Sequence, residues 1–127
     1  MGFSTILTPE DLKKGDLVPA GWYTFKIMGY EEKEAGTDKS TNCFFVVQIQ
    51  DEKYKGVSPR CMFNEKALGF GKNLWKALEF PYDEGVGYKL SSELFQQSVG
   101  SVFMGYVARG KSDKGNEFNE IKDFKKA

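Results

Sequence analysis

From Gly21 onward the chain alternates between apolar and polar positions. Trp22-Tyr23-Thr24-Phe25-Lys26-Ile27-Met28 sets Tyr23, Phe25 and Ile27 on one side and Trp22, Thr24, Lys26 and Met28 on the other. A period of two marks a half-buried β-strand, and the first trio predicts its core face. The polar stretch from Glu31 to Ser40, with Gly36 and Asp38, predicts a long loop. Alternation resumes over 41–50, where Cys43, Phe45, Val47 and Ile49 oppose Asn42, Phe44, Val46, Gln48 and Gln50. Residues 51–56 read as a turn and 57–64 as a third strand, with Pro59 near its start, where a missing N–H is tolerated.

The period then changes. Asn64 can cap a helix and Glu65 suits its positive end, while Ala67, Gly71, Leu74, Trp75 and Leu78 recur at helical spacing. A helix is therefore expected from Asn64 to about Leu78, weakened by Gly69 and Gly71 and stopped before Pro81, with Trp75 on its core side. A glycine-bearing loop over 82–88 leads to a second short helix, from Ser91 or Ser92 to about Gln97. A fourth strand covers 101–111 and sets Val102, Met104, Tyr106 and Ala108 against Phe103, Gly105, Val107 and Arg109. Alternation alone leaves open which of these sets faces inward. Ser112-Asp113-Lys114-Gly115 reads as a hairpin turn before a last strand from Asn116 to about Phe124. Ahead of all this, Thr8-Pro9-Glu10-Asp11-Leu12 predicts a short helix ending near Gly15, within an N-terminal lead-in over 1–20.

Three strands, a helix and two more strands predict an all-β fold with a helical insert. The helix between strands three and four matches the OB arrangement, a five-stranded, partly open Greek-key barrel that takes oligonucleotides over strands two and three. SH3-like and other small barrels produce similar strings. At 127 residues, the expectation is a single domain over 1–127.

Composition sharpens this picture in one respect. The chain holds 11 Phe, 6 Tyr and 2 Trp, more aromatic surface than a core of this size calls for, so some rings are expected to face solvent or a ligand. Charge balances to zero, which counts against a uniformly basic nucleic-acid binder. The balance is local, however. Between Lys53 and Lys76, Lys53, Lys55, Arg60, Lys66, Lys72 and Lys76 face only Glu65, a net of +5; between Ala77 and Gly100, Glu79, Asp83, Glu84 and Glu93 outweigh Lys89, a net of −3.

Several kinds of chemistry are poorly served. With no histidine, the commonest general base and transition-metal ligand are missing. The acidic pairs Glu31-Glu32, Asp51-Glu52 and Asp83-Glu84 fall in polar loops or strand ends, and Gly69-Phe70-Gly71-Lys72 is too short for a phosphate-binding loop. Cys43 and Cys61 sit in strand-like stretches outside any metal-ligand spacing, as buried thiols do. The expectation is a protein that is not an enzyme and uses no cofactor or metal. No apolar run approaches the roughly 20 residues that cross a bilayer, and no basic-then-apolar leader opens the chain, so no membrane partner and a cytoplasmic location are expected.

What remains is aromatic residues interleaved with bases. Exposed π faces of single-stranded bases stack on aromatic rings while Lys and Arg follow the phosphates, both without sequence preference. Trp22, Tyr30 and Phe44 fall opposite the core sets of their strands, with Arg60 on strand three and Lys55 and Lys66 near phosphates. Arg109, Lys111 and Lys122 extend the track, and Tyr106 joins it if its side of strand four faces outward. Trp22 fits equally as a cover over the barrel's open end, and Phe44 as a residue packed with Val46 under the helix.

At Gly21-Trp22-Tyr23, Tyr54-Lys55-Gly56 and Asn119-Glu120-Ile121 the chain resembles a family of short phage and prophage proteins taken to bind single-stranded DNA. The likeness spans most of the chain, with Gly100 and Ile121 at its last landmarks. It implies an OB-like fold, a role in phage DNA replication or recombination, and work in the host cytoplasm. The zero net charge and the acidic stretch after the helix depart from it. The rival expectation is a protein-interaction module docking on a phage replication or recombination enzyme. An open strand edge would also allow pairing into a homodimer.

Overall fold

The computed structural model describes residue 2 and residues 4–6, 17–36 and 38–127. The helix expected over 8–15 lies outside the described residues. The elements, in chain order, are β1 (Gly21–Glu34), β2 (Thr41–Ile49), β3 (Met62–Asn64), α1 (Lys72–Ala77), β4 (Tyr82–Asp83), β5 (Gly87–Tyr88), α2 (Ser92–Gln97), β6 (Val102–Lys111) and β7 (Glu117–Lys126). Five strands make one antiparallel sheet in the order β3-β2-β1-β6-β7, and β4 and β5 form a separate small hairpin where a loop was expected.

β1 outruns the strand its alternation predicts. Lys33 and Glu34 still pair with Asn42 and Thr41, and the Ala35 N–H donates to the Ser40 carbonyl at 2.8 Å. This end of the ribbon is wet, so its polar side chains look like a loop although its backbone is laddered. The third strand shrinks instead. Only Met62–Asn64 forms a ladder; upstream, the N–H groups of Phe45 and Ile49 reach the carbonyls of Cys61 and Val57 at 2.9 Å. Pro59, buried between them, has no N–H to contribute.

The predicted helix after Asn64 divides. Asn64 does cap it, accepting from the Lys66 N–H at 2.9 Å, but Glu65–Gly71 winds as 3-10 turns with Ala67 off helical geometry, and only α1 is α-helical. Two glycines within three residues cost helix stability of about 1 kcal/mol each. Packing at Trp75 compensates. Its ring is 1% exposed, stacks on Phe95 at 4.9 Å, and donates its N–H to the Leu68 carbonyl at 2.9 Å. A Cβ on Gly71 would come within 2.5 Å of that ring, so the close approach requires glycine.

Phe25 stacks on Phe103 at 5.4 Å, which resolves the faces of β6: Phe103, Gly105 and Val107 turn inward. Alternation in β1 fails at one point. Ile27 pairs with Val47 but Gly29 pairs with Val46, so Met28 is an extra residue, a β-bulge. Odd-numbered side chains face the core before it and even-numbered ones after it. Tyr30, expected on the outer face with Trp22, therefore lies opposite Phe45 on the core side, 5.1 Å from that ring and 5.6 Å from Phe95. β7 carries a second bulge at Lys122, between the pairs Tyr106–Asp123 and Val107–Ile121.

The sheet curls but is not a closed barrel. Its edge strands meet at one parallel bridge, Arg60 to Glu120. Around this bridge a cleft of about 680 Å³ opens between the approach to β3 and β7, lined by Met62, Phe63, Phe118, Ile121 and Phe124 and reached by Leu17. Asn119 pins the incoming chain, accepting from the Val18 N–H at 2.8 Å and donating to its carbonyl at 3.1 Å. Among the described residues no helix is long and apolar enough to cross a membrane.

Candidate functional site

Because every second side chain of a strand points outward, the outer surface of the sheet is set by register. Trp22 lies beside Tyr106, Thr24 beside Met104, Lys26 beside Val102, Gly29 beside Val46 and Glu31 beside Phe44, with Met62 next to Phe44 on β3. An antiparallel sheet that faces water on one side ordinarily shows polar residues there. Here Trp22, Met28, Val46 and Val102 are each between 36% and 47% exposed, a run of apolar surface over three adjacent strands. Runs of this kind on a soluble protein mark contact with something else.

Two aromatic stations stand on this face. At one end the Trp22 and Tyr106 rings meet edge to face, 5.5 Å apart, and the Lys125 ammonium sits 4.3 Å from the Trp22 ring centre. At the other end Phe44 carries Lys33 at 5.3 Å and the Arg60 guanidinium at 5.8 Å. Nine residues of β1 separate Trp22 from Glu31, the neighbour of Phe44, which is about 30 Å of strand. None of Lys33, Arg60 and Lys125 joins an ion pair among the described residues. Carboxylates on the face are few. Glu31 borders Phe44, and Asp123, opposite Tyr106, is held by the Asn73 amide at 2.7 Å and the Phe124 N–H, which keep it below the usual carboxylate range.

The candidates read from the sequence are thus distributed unevenly. Trp22, Phe44, Tyr106 and Arg60 share the outer face. Tyr30 does not; the bulge turns it inward, and its hydroxyl donates to Glu32 at 2.6 Å. Lys55 is exposed beyond the far end of β2, on the turn after Tyr54, whose ring packs 5.7 Å from Tyr23 near the Trp22 end. Lys66 is ion-paired to Asp38 at 3.0 Å near the β1–β2 turn. Arg109 and Lys111 fall in phase with Phe103 and Val107, on the opposite side from Tyr106; Arg109 donates to the Val18 carbonyl at 3.4 Å and lies 3.9 Å from Glu117. Lys122 occupies the β7 bulge, paired to Glu120 at 2.9 Å.

Sequence reading missed Lys33 and Lys125, which lay beyond the predicted ends of strands one and five. Extending the last strand by one residue would have included Lys125, but only the pairing register sets it beside Met104. The apolar outer residues Met28, Val46 and Val102 were visible in the alternation, but nothing in one sequence marks them as exposed.

Cys43 and Cys61 are free, buried thiols, and burial pushes Cys61 up to about 12, so it stays protonated. Among the described residues, no three His, Cys, Asp or Glu side chains gather closely enough to hold a metal ion.

A family model described as "Protein of unknown function (DUF669)" matches residues 9–127. No curated protein matches the chain.

Proposed function

The chain belongs to the family described as a protein of unknown function (DUF669), so its function must be read from its surface, and we propose that the outer face of the sheet binds single-stranded DNA without sequence preference. The observation that carries this reading is the pair of aromatic stations, Trp22–Tyr106 and Phe44, each with one or two cations held over a ring of the outer face. A base entering either station displaces the cation from the ring and stacks in its place. The displaced ammonium or guanidinium then meets the phosphate that arrives with the base. Neither contact involves a base edge, and so neither reads sequence.

The architecture supports an OB-type assignment. Five main strands, a helical segment between the third and fourth of them, and a parallel bridge from Arg60 to Glu120 where the barrel would close are the features of that fold. In a phage, such a protein would cover single strands exposed by replication or recombination, in the host cytoplasm.

The test is fluorescence titration of the full chain with labelled oligo-dT over a range of salt. With Lys33, Arg60 and Lys125 each neutralising one phosphate, the logarithm of affinity should fall against that of salt with a slope of about −2. No binding at low salt would sink the proposal. Duplex DNA should compete poorly, because its bases are already stacked. The exposed apolar row of Met28, Val46 and Val102 also suits a protein partner. A replication or recombination enzyme retained after nuclease treatment by a chain with no DNA affinity would favour that second reading.

A further inference from the structure

Phe70 is 85% exposed, and it is not on the outer face of the sheet. It stands on the 3-10 turns before α1, and the chain beneath it is held from several directions. Gly71 is buried against the Trp75 ring, the Trp75 N–H is bonded to the Leu68 carbonyl at 2.9 Å, and the Lys72 N–H is bonded to Gly69. A ring projecting from so constrained a turn is presented to solvent by construction of the backbone. Lys72 and Lys76, both exposed, follow it in sequence and join no ion pair among the described residues, while Lys66 before it is paired to Asp38.

The complementary surface is on the same chain. The β4–β5 hairpin and α2 enclose a shallow cleft of about 570 Å³, ample for one phenyl ring. Pro81, Tyr82 and Leu94 supply apolar walls, Asp83 and Glu93 place carboxylates at the rim, and Lys89 is the one cation among its lining residues. Tyr82 is 62% exposed, its ring meets that of Tyr88 at 5.0 Å, and the hairpin is stiffened by Asp83, which accepts from the Gly85 N–H at 2.7 Å. Nucleic acid is a poor occupant for this cleft, since the surrounding segment from Ala77 to Gly100 carries a net charge of −3.

We propose that Phe70 of one molecule seats in the Pro81–Tyr82–Leu94 cleft of the next, with the lysines flanking Phe70 facing Asp83 and Glu93. The two surfaces differ, so in a head-to-tail contact each addition leaves a free Phe70 at one end and a free cleft at the other. Growth is then open-ended, whereas a reciprocal pair with each Phe70 in the other's cleft would stop at the dimer. This association requires no DNA, and it is independent of the function proposed above.

Sedimentation velocity of the full chain, without DNA and from micromolar to millimolar concentration, tests it. The weight-average mass should climb past that of a dimer with concentration and fall back in high salt. Phe70→Ser and the double variant Asp83→Asn/Glu93→Lys, whose Asn keeps the acceptor oxygen for the Gly85 N–H, should each remain monomeric while keeping the wild-type circular dichroism spectrum and melting temperature. Mixed, the two variants should form a one-to-one complex and nothing larger, since the first retains a sound cleft and the second a sound Phe70. A wild-type protein monomeric throughout, a mass that stops at the dimer, a Phe70→Ser variant that associates normally, or a mixture that forms no complex would each overturn the proposal.

Discussion

Trp22 is half of a ring pair that contributes little to the core, since its partner Tyr106 and its cation Lys125 lie on the same outer surface. Replacing it by Ala should therefore lower the melting temperature only modestly while weakening oligo-dT binding by about 1–3 kcal/mol. Equilibrium titration and a thermal melt of the same sample check both halves. A large loss of stability with intact affinity would return Trp22 to a purely structural role. Trp22 and Phe44 were legible in the sequence because a period of two assigns sides within a continuous strand, whereas Tyr106 needed the stacking of Phe103 on Phe25 to decide which side of its strand faces out. Tyr30 was not, because a single residue inserted between it and the rest of the pattern reverses the assignment. The cations were harder still. A lysine is equally at home on any wet surface, and only the register that lays Lys125 over Trp22 distinguishes it from Lys126, which pairs with Glu79.

At the level of elements, the turn joining β1 to β2 depends on a carboxylate. Asp38 accepts the Ser40 hydroxyl at 2.6 Å, the Ser40 N–H at 3.0 Å and the Lys66 ammonium at 3.0 Å. These bonds, the hydroxyl first, hold Asp38 well below the usual carboxylate range. Glu32, bonded by Ser92 and then by Tyr30, is lowered in the same way. A carboxylate whose folded value is depressed stabilises the fold above its unfolded value of about 4, and that contribution is lost as pH falls through the folded value. Urea midpoints should accordingly drop as pH is lowered from about 5 towards 3, and Asp38→Asn should flatten part of that dependence while lowering stability at neutral pH. Unaltered pH dependence in the variant would show that the turn carries no such linkage. The sequence reading placed Asp38 in a loop; Ser40 is a partner two residues away, but Lys66, on the 3-10 turns after β3, needed the fold to reach it. The same applies to the split helix, where the glycines weakened the expected turns, but the 3-10 geometry followed from how closely Trp75 packs on Gly71.

The order of strands and the position of the helical segment could be read along the whole molecule, because five alternating stretches and one change of period survive in the bare chain. The failure of the sheet to close could not, since it turns on Pro59 and a third strand too short to ladder with β7. The extra residue in β1 has a further consequence for what the chain tolerates. Met28 is 47% exposed, so changing it to Ala or Ser should shift stability by no more than about 0.5 kcal/mol. Deleting it should keep the fold as well, because Ile27–Val47 and Gly29–Val46 would become consecutive pairs and Tyr30 would still oppose Phe45. Urea denaturation curves of the substitution and the deletion check this, and a deletion variant that fails to fold would contradict it. Met28 is thus a silent beat in its strand: it occupies a place in the chain without deciding which way its paired neighbours face.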